Sequence, residues 1–588
     1  MSSKRTKLEL TWIGKETRPR LEPRILLEDP AKSHHAKHRV TDKDLFDNRL
    51  IFGDNLLALK ALEQEFEGKI KCVYIDPPFN TGEMFQHYDD SVEHSVWLSQ
   101  MRDRLTILHR LLASDGSLFV HIDDNELGYL IAVIDEIFGR ANRIAVITFK
   151  QSSVSGPKAI NPGLVSTSSF ILYYAKNRSA WVPNRVFQPT ERDDRYNRYI
   201  VNRDASYAEW RLVPLREAFA KHHGINAKDV KGRFGDDLED ALTEFVLSDP
   251  RRVVRTARVA PKDVNMEARR ALAESAEKMG EVVCSPRDER EPYYFLNGEQ
   301  LVFYSAKTKE MDGKWVTALP ASTIWDDLLS NNLHKEGEVS FPNGKKPEAL
   351  LQRILTLSTM PGDWVLDSFG GSGTTGAVAH KMGRRWILVE LKEHCDSHIK
   401  PRLEKIISGQ DLSGITEAVD WKGGGGFRYY RLAPSLLEKE KWGQWVISKE
   451  FNAAMLAEAA CKLEGFTYAP SDTVYWQHGH STERDFIYVT TQNLTSDQLA
   501  QLSDEVGPDR SLLVLCAAFR SPKGGTDRYP NLTVKKIPKQ VLSRCEWGHD
   551  DYSLKVENLP KAPASAEATA GKPHKVGQQS LFGEEVGK

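Results

Sequence analysis

From residue 45 onward, short apolar runs of strand length alternate with stretches whose apolar residues recur at helical spacing. The alternation breaks off near residue 180 and resumes near residue 321. Such alternation restricts a chain to an α/β fold, in which helical crossovers return each strand to one sheet. In the first block, residues 70–75 read as a strand ending at Asp76 and residues 96–112 as a helix stopped by Asp115 and Gly116. Residues 117–122 read as a second strand, 126–138 as a helix closed by Gly139, and 143–149 and 170–174 as two further strands. In the second block, 347–358 reads as a helix, 364–366 as a strand, 374–382 as a helix and 386–391 as a strand.

A chain of 588 residues holds two to four domains on length alone. Residues 1–44 are polar and read as an irregular lead-in, in which His34, His35 and His38 lack the carboxylate or cysteine that would complete a metal site. Residues 45–180 and 321–410 form the two α/β halves. Residues 181–320, rich in Arg, Asp and Tyr, read as an insertion between them. The four glycines at 423–426 read as a flexible turn or boundary, 411–558 as a C-terminal α+β domain, and 559–588 as a disordered tail rich in Ala, Pro, Lys and Glu. Six scattered cysteines with no CxxC pair argue against a disulfide scaffold, and a reducing cytoplasm is expected. No apolar run reaches 18 residues, so no membrane span is expected, and the basic start lacks the apolar core of a secretory signal. Net charge is 80 − 82 = −2, yet 251–270 carries seven Lys or Arg against Asp263 and Glu267. Alone, that stretch is a solvated face. Beside nucleic-acid chemistry it becomes a candidate phosphate contact.

Two motifs carry chemistry. In the first, a strand ends at Asp367 and is followed by Ser368, Phe369, Gly370, Gly371, Ser372, Gly373, Thr374, Thr375 and Gly376, with Glu390 at the end of the next strand. Glycines let the backbone approach a ligand, the helix N-terminus offers free N–H groups, and a carboxylate one strand away can accept bonds from ribose hydroxyls. This pattern suits a nicotinamide, a flavin or S-adenosylmethionine equally, or a plain tight turn. The absence of a P-loop lysine excludes an ATPase. In the second motif, Asp76, Pro77, Pro78 and Phe79 close another strand. Two prolines stiffen the loop and remove two N–H groups. A carboxylate, an exposed carbonyl and an aromatic ring then converge within four residues, a set able to grip an exocyclic amine and stack on its base.

With both motifs in one α/β sheet, the chain resembles the S-adenosylmethionine-dependent DNA amino-methyltransferases. Its Asp-Pro-Pro-Phe is a form of their Asp/Asn/Ser-Pro-Pro-aromatic motif, and its position ahead of the glycine loop is the permuted order of the β class. The likeness is closest to the modification subunits of Type III restriction–modification systems. It rests on 53–55, 74–82, 88–90, 121–126, 174–177, 345–348 and 367–376, and covers roughly 45–180 and 320–400. The resemblance implies a Rossmann-like methyltransferase sheet with an inserted target-recognition domain at 181–320, acting on adenine N6 in double-stranded DNA.

Carried over by position, the resemblance implies that Asp76 and the Pro77 carbonyl, stiffened by Pro78, accept from the target amine while Phe79 stacks on the flipped base. Asp367, Phe369, Gly371, Gly373 and Thr374 would shape the cofactor site and Glu390 would hold the ribose. Asp54 would lie near the cofactor adenine, and Lys346 and Pro347 would border its methionine end. No metal is required. A homodimer is implied, and because the sequence lacks helicase and Walker motifs, restriction would need a partner subunit.

An oxidoreductase built on the glycine loop would leave residues 76–79 unexplained. A non-catalytic DNA-binding component would retain the fold without transfer. The lack of a PCxxC segment excludes a zinc deaminase. In the tail, Gln578, Leu581 and Phe582 resemble the short peptide by which bacterial proteins dock on the replicative sliding clamp.

Overall fold

The computed structural model describes residues 9–79, 84–85, 88–89, 94–152, 163–288, 291–311, 314–328, 333–338, 341, 344–439, 445–520, 528–537, 545 and 547–552. The clamp-like peptide at 578–582, together with Asn80, Thr81, Gly82 and Asp90, lies outside them.

An eleven-stranded sheet organises the molecule. Its strands, in chain order, are β1 (Leu26–Glu28), β2 (His34–His35), β3 (Asn48–Phe52), β4 (Ile70–Ile75), β5 (Leu112–Ile122), β6 (Arg143–Lys150), β7 (Ser168–Ala175), β8 (Ile324–Trp325), β9 (Trp364–Asp367), β10 (Arg385–Glu390) and β11 (Gly426–Leu432). The spatial order is β1-β11-β3-β10-β9-β4-β5-β7-β6-β8, with β2 also pairing to β11. From β11 to β5 every neighbour is parallel. Strand β7 runs antiparallel to both β5 and β6.

Helices cover both faces. On one side lie α1 (Asn55–Phe66), α2 (His94–Leu111) and α3 (Asp124–Ile134). On the other lie α4 (Glu348–Ser358), α5 (Thr374–Lys381) and α6 (Lys400–Ile407). Strand β10 shows why its sequence is apolar between Arg385 and Glu390: Ile387 and Val389 enter one core while Trp386 and Leu388 enter the other. A strand of a parallel sheet buried on both faces has no solvent side on which to place polar residues.

The N-terminal and C-terminal margins differ from the sequence reading. Strands β1 and β2, within the stretch read as an irregular lead-in, pair with β11, and His34 and His35 lie opposite Phe427 and Gly426. The four-glycine run is a close crossing that feeds β11. Its Gly423, Gly424 and Gly425 all have positive φ, and a Cβ on Gly424 would stand 2.5 Å from Asp44 Oδ2. Only glycine fits there.

The segment read as an insertion carries a six-stranded antiparallel sheet, in the order Leu212–Pro214, Arg198–Ile200, Val253–Ala257, Glu299–Phe303, Tyr293–Leu296, Val282–Ser285, together with a separate three-stranded one. Part of its basic stretch is already neutralised: Arg251 pairs with Asp249, Arg252 with Asp204 and Asp249, and Arg258 with Glu299. Beyond 445, Asp485–Val489, Ser511–Cys516 and Leu532–Lys536 form a parallel core within a separate five-stranded sheet. The polar helix between the first two, Ser496–Val506, begins with a Thr495/Gln498 capping box. Among the described residues, no helix is long and apolar enough to cross a membrane.

Candidate active site

Strand order gathers the two motifs, although 291 residues separate Asp76 from Asp367 in the chain. Asp76 follows β4, Asp367 ends β9, Glu390 ends β10 and Asp54 follows β3. These four strands are consecutive neighbours, β3-β10-β9-β4, and all run parallel. Four carboxylates therefore line one edge of the sheet, in the crevice beyond the carboxyl ends of the strands where open α/β sheets hold ligands.

The glycine loop is tied at both ends. Asp367 Oδ1 accepts from the Phe369 N–H at 2.9 Å and Oδ2 from the Thr375 hydroxyl at 2.6 Å. Burial drives the Asp367 carboxyl up to about 8 despite those two donors, and the negative charges of Asp76 and Glu390 push the same way. Gly371 and Gly373 take positive φ, and the Gly373 N–H closes a turn on the Gly370 carbonyl at 2.7 Å. A Cβ on Gly373 would sit 2.9 Å from Ile399, and one on Gly376 2.6 Å from Leu388, so these glycines allow the loop and α5 to lie flat on the protein beneath them.

Glu390 is buried. Its Oε2 accepts from the Gly371 N–H at 2.8 Å, and its Oε1 accepts from the Leu391 and Lys392 N–H groups at 2.9 and 3.1 Å. A carboxylate has about four acceptor sites, so capacity for a further donor remains. The Thr374 hydroxyl is engaged from behind by Arg402 Nη1 at 2.9 Å, and the same nitrogen donates to the Ser372 carbonyl at 3.1 Å. Phe369 contributes differently from the other loop residues: its ring is packed in the hydrophobic core, which leaves its backbone as the part that shapes the loop.

On the other side of the crevice, Trp97 Nε1 donates to the Pro78 carbonyl at 3.0 Å and pins the proline loop to α2. Among the described residues none donates to the Pro77 carbonyl. Asp76 Oδ2 lies 2.9 Å from Lys346 Nζ, and the same ammonium stands 5.0 Å from the Phe79 ring centroid. Burial raises the Asp76 carboxyl above the usual carboxylate range, and the Lys346 charge opposes it. Beneath Phe79 lies His121, which bonds Tyr74 at 3.1 Å and Ser169 at 2.7 Å and is held well below the usual histidine range by burial and by Lys346. Two buried polar atoms at the strand ends, Asp76 Oδ1 and Ser368 Oγ, have no hydrogen-bond partner among the described residues.

Both oxygens of Asp54 are already engaged. Oδ1 caps α1 through the Leu57 N–H at 3.0 Å, Oδ2 accepts the Tyr552 N–H at 2.9 Å, and Arg104 stands 3.8 Å away while donating to the Tyr552 carbonyl at 2.7 Å. Sequence reasoning missed Arg104, Tyr552, Trp97 and Arg402. Each acts on a site residue from another element of the fold, and none stands in a pattern of its own.

A family model described as DNA methylase matches residues 70–400. The chain is 36% identical over 426 residues to the "Probable type III restriction-modification enzyme HindVI Mod subunit" of Haemophilus influenzae, covering 67% of this chain and 55% of that protein. It is 30% identical over 212 residues to the EcoP15I Mod subunit of Escherichia coli, covering 30% of this chain and 32% of that one. The chain thus spans about half the length of the first of these relatives and less of the second. Among solved structures, the M1.HpyAVI–SAM complex aligns at 13% identity and a TM-score of 0.30, over 60% of this chain and 98% of that one.

Proposed function

The chain belongs to the DNA methylase family, and on that premise we propose that it transfers a methyl group from S-adenosylmethionine to the N6 amine of an adenine flipped out of double-stranded DNA at a specific sequence. The observation that carries the reading is the meeting of Asp76 with Asp367, Glu390 and the glycine loop across the neighbouring strands β4, β9 and β10.

The residues fit the cofactor. The Glu390 carboxylate beside the Gly371 N–H suits ribose hydroxyls, and the N-terminus of α5 with Gly373 and Thr374 suits close backbone approach. Lys346 and Pro347 border the crevice from the start of α4. When bound, the cofactor supplies an electrophilic sulfonium methyl.

The chain's part is to make a poor nucleophile reactive. The lone pair of an adenine amine is delocalised into the ring. Acceptors at Asp76 and at the Pro77 carbonyl draw its two N–H bonds out of plane and localise the lone pair. Phe79, stacked on the base, offsets part of the few kcal/mol that flipping costs. Alignment and fixed charge then provide most of the rate. Asp at the first motif position supports adenine over cytosine.

The test is incubation of the full chain with labelled S-adenosylmethionine and DNA, followed by identification of the base. N6-methyladenine at one sequence is expected; reduction of a nicotinamide with no methylation would favour an oxidoreductase and end this reading. A further expectation concerns Glu390. Glu390→Ala should raise the cofactor Kd by about 10- to 100-fold, the worth of one bond to a charged group. Calorimetry showing unchanged affinity would displace the ribose from Glu390.

The same reading assigns sequence recognition to 181–320, with unpaired basic groups of 251–270 on phosphates. It also includes a homodimer, a separate restriction subunit, a cytoplasmic setting and clamp docking through Gln578, Leu581 and Phe582. Light scattering tests the dimer, and titration of a 570–588 peptide with the clamp tests the docking.

A further inference from the structure

We propose that Lys346 is a positioning residue for methyl transfer: its ammonium takes one oxygen of Asp76 and so keeps the other, Oδ1, as an acceptor for the reacting amine. The inference deepens the reading of the site given above and rests on it.

The geometry is specific. Lys346 Nζ lies 2.9 Å from Asp76 Oδ2, whereas Oδ1 is buried with no hydrogen-bond partner among the described residues. The side chains retain 9% and 20% of their surface, so the pair is largely desolvated yet reachable from the crevice. Lys346 is also held from both sides along the chain. The neighbouring Lys345 ammonium bonds the Glu336 carbonyl. Pro347 has φ −62°, and Glu348 is fixed in a buried ion network.

An ammonium can only donate, so it must take an acceptor oxygen. That leaves Oδ1 as the free acceptor only while the carboxyl is ionised. A proton arriving on Asp76 would settle on Oδ1, because Oδ2 faces a cation, and would turn the needed acceptor into a donor. The other groups around Asp76 are Asp367 on β9, Tyr74 on β4, His121 on β5 behind Tyr74, and Glu390 on β10 beyond Asp367. Burial favours a proton on Asp76, and among these groups the Lys346 ammonium alone opposes it.

The full-length chain gives two readouts at saturating cofactor that a merely structural lysine would not move. In Asp76→Asn the amide must turn its oxygen to Lys346 and present its NH2 to the target amine, donor against donor, although the family motif accepts Asn. Adding Lys346→Met frees the amide to flip. The double variant should therefore methylate faster than Asp76→Asn alone by roughly tenfold, the worth of one hydrogen bond. In Lys346→Met alone, the acid limb of kcat should move to higher pH, because the protonated carboxyl persists further, and Lys346→Arg should return it. Lys346→Gln serves in both experiments if the methionine variant does not fold. A double variant no faster than Asp76→Asn, or an acid limb unmoved from wild type, overturns the proposal while wild-type methylation keeps the reading of the site. Wild-type protein that never methylates DNA overturns both.

Discussion

Asp76→Ala is expected to lower kcat for methylation by roughly 10²–10³-fold, the usual cost of removing one preorganised polar group from a reacting centre. Cofactor affinity should be nearly unchanged. The distinction follows from position. Asp76 ends β4 and meets the crevice with one oxygen on Lys346 and one unpartnered, whereas the bonds that shape the glycine loop come from Asp367, Glu390 and Arg402. Losing the carboxylate removes an acceptor from the amine and leaves the Lys346 charge without its partner. Some rise in the apparent KM for DNA is expected, since the flipped base loses an edge contact. Single-turnover assays at saturating cofactor and DNA, paired with calorimetry for the cofactor, separate the two effects. A variant with wild-type turnover would remove Asp76 from the chemistry. A variant with normal chemistry and lost cofactor binding would exchange its role with that of the loop.

How much of this was legible in the sequence depends on how local each signal is. The strand ending at Asp76, the strand ending at Asp367 and the helix beginning near Thr374 are written in apolar runs and glycines, and they lie within a residue or two of the expected places. The alternation places both strands in one sheet, but their adjacency is not legible, because parallel pairing of β9 with β4 joins segments nearly three hundred residues apart. Strands β1, β2 and β11 were not legible. The first two are three and two residues long, too short for periodicity to register, and their partner lies about 400 residues later. The four glycines that lead into β11 carry the turn signal of a loose boundary, although the Gly425 N–H donates to Asp44 and the Gly424 carbonyl bonds His380. Phe369 sits inside a ligand-loop motif yet packs its ring in the core, since a motif fixes the backbone path and not the face each side chain takes. Asp54 was placed by likeness, and no sequence pattern discloses that its second oxygen is met by the backbone of Tyr552.

Glu348→Ala should destabilise the part of the chain built on the eleven-stranded sheet by about 3–5 kcal/mol, the range found when one member of a buried ion pair is removed. Glu348 opens α4 and is wholly buried. Its Oε1 accepts from Arg402 Nη2 at 2.7 Å, and its Oε2 accepts from Lys381 Nζ at 2.8 Å and from the Ile415 N–H at 3.1 Å. Lys381 also meets Asp411 at 2.8 Å, so two anions and two cations balance inside the protein. Alanine would leave Lys381 with Asp411, and Arg402 with the neutral Ser372 carbonyl and Thr374 hydroxyl, at a depth where water cannot replace the lost carboxylate. The effect should reach the site as well. Arg402 holds the Ser372 carbonyl and the Thr374 hydroxyl, so a guanidinium released by Glu348 loosens the glycine loop and weakens cofactor binding in the same variant. Urea unfolding followed by tryptophan fluorescence, with Trp386 in the adjacent core, measures the stability; cofactor titration below the transition measures the loop. The exposed Lys278–Glu274 pair provides the contrast, because replacing Glu274 there should leave the urea midpoint where it was. A Glu348→Ala midpoint equally unmoved would mean that the buried charges are satisfied in some other way and that the loop does not depend on them.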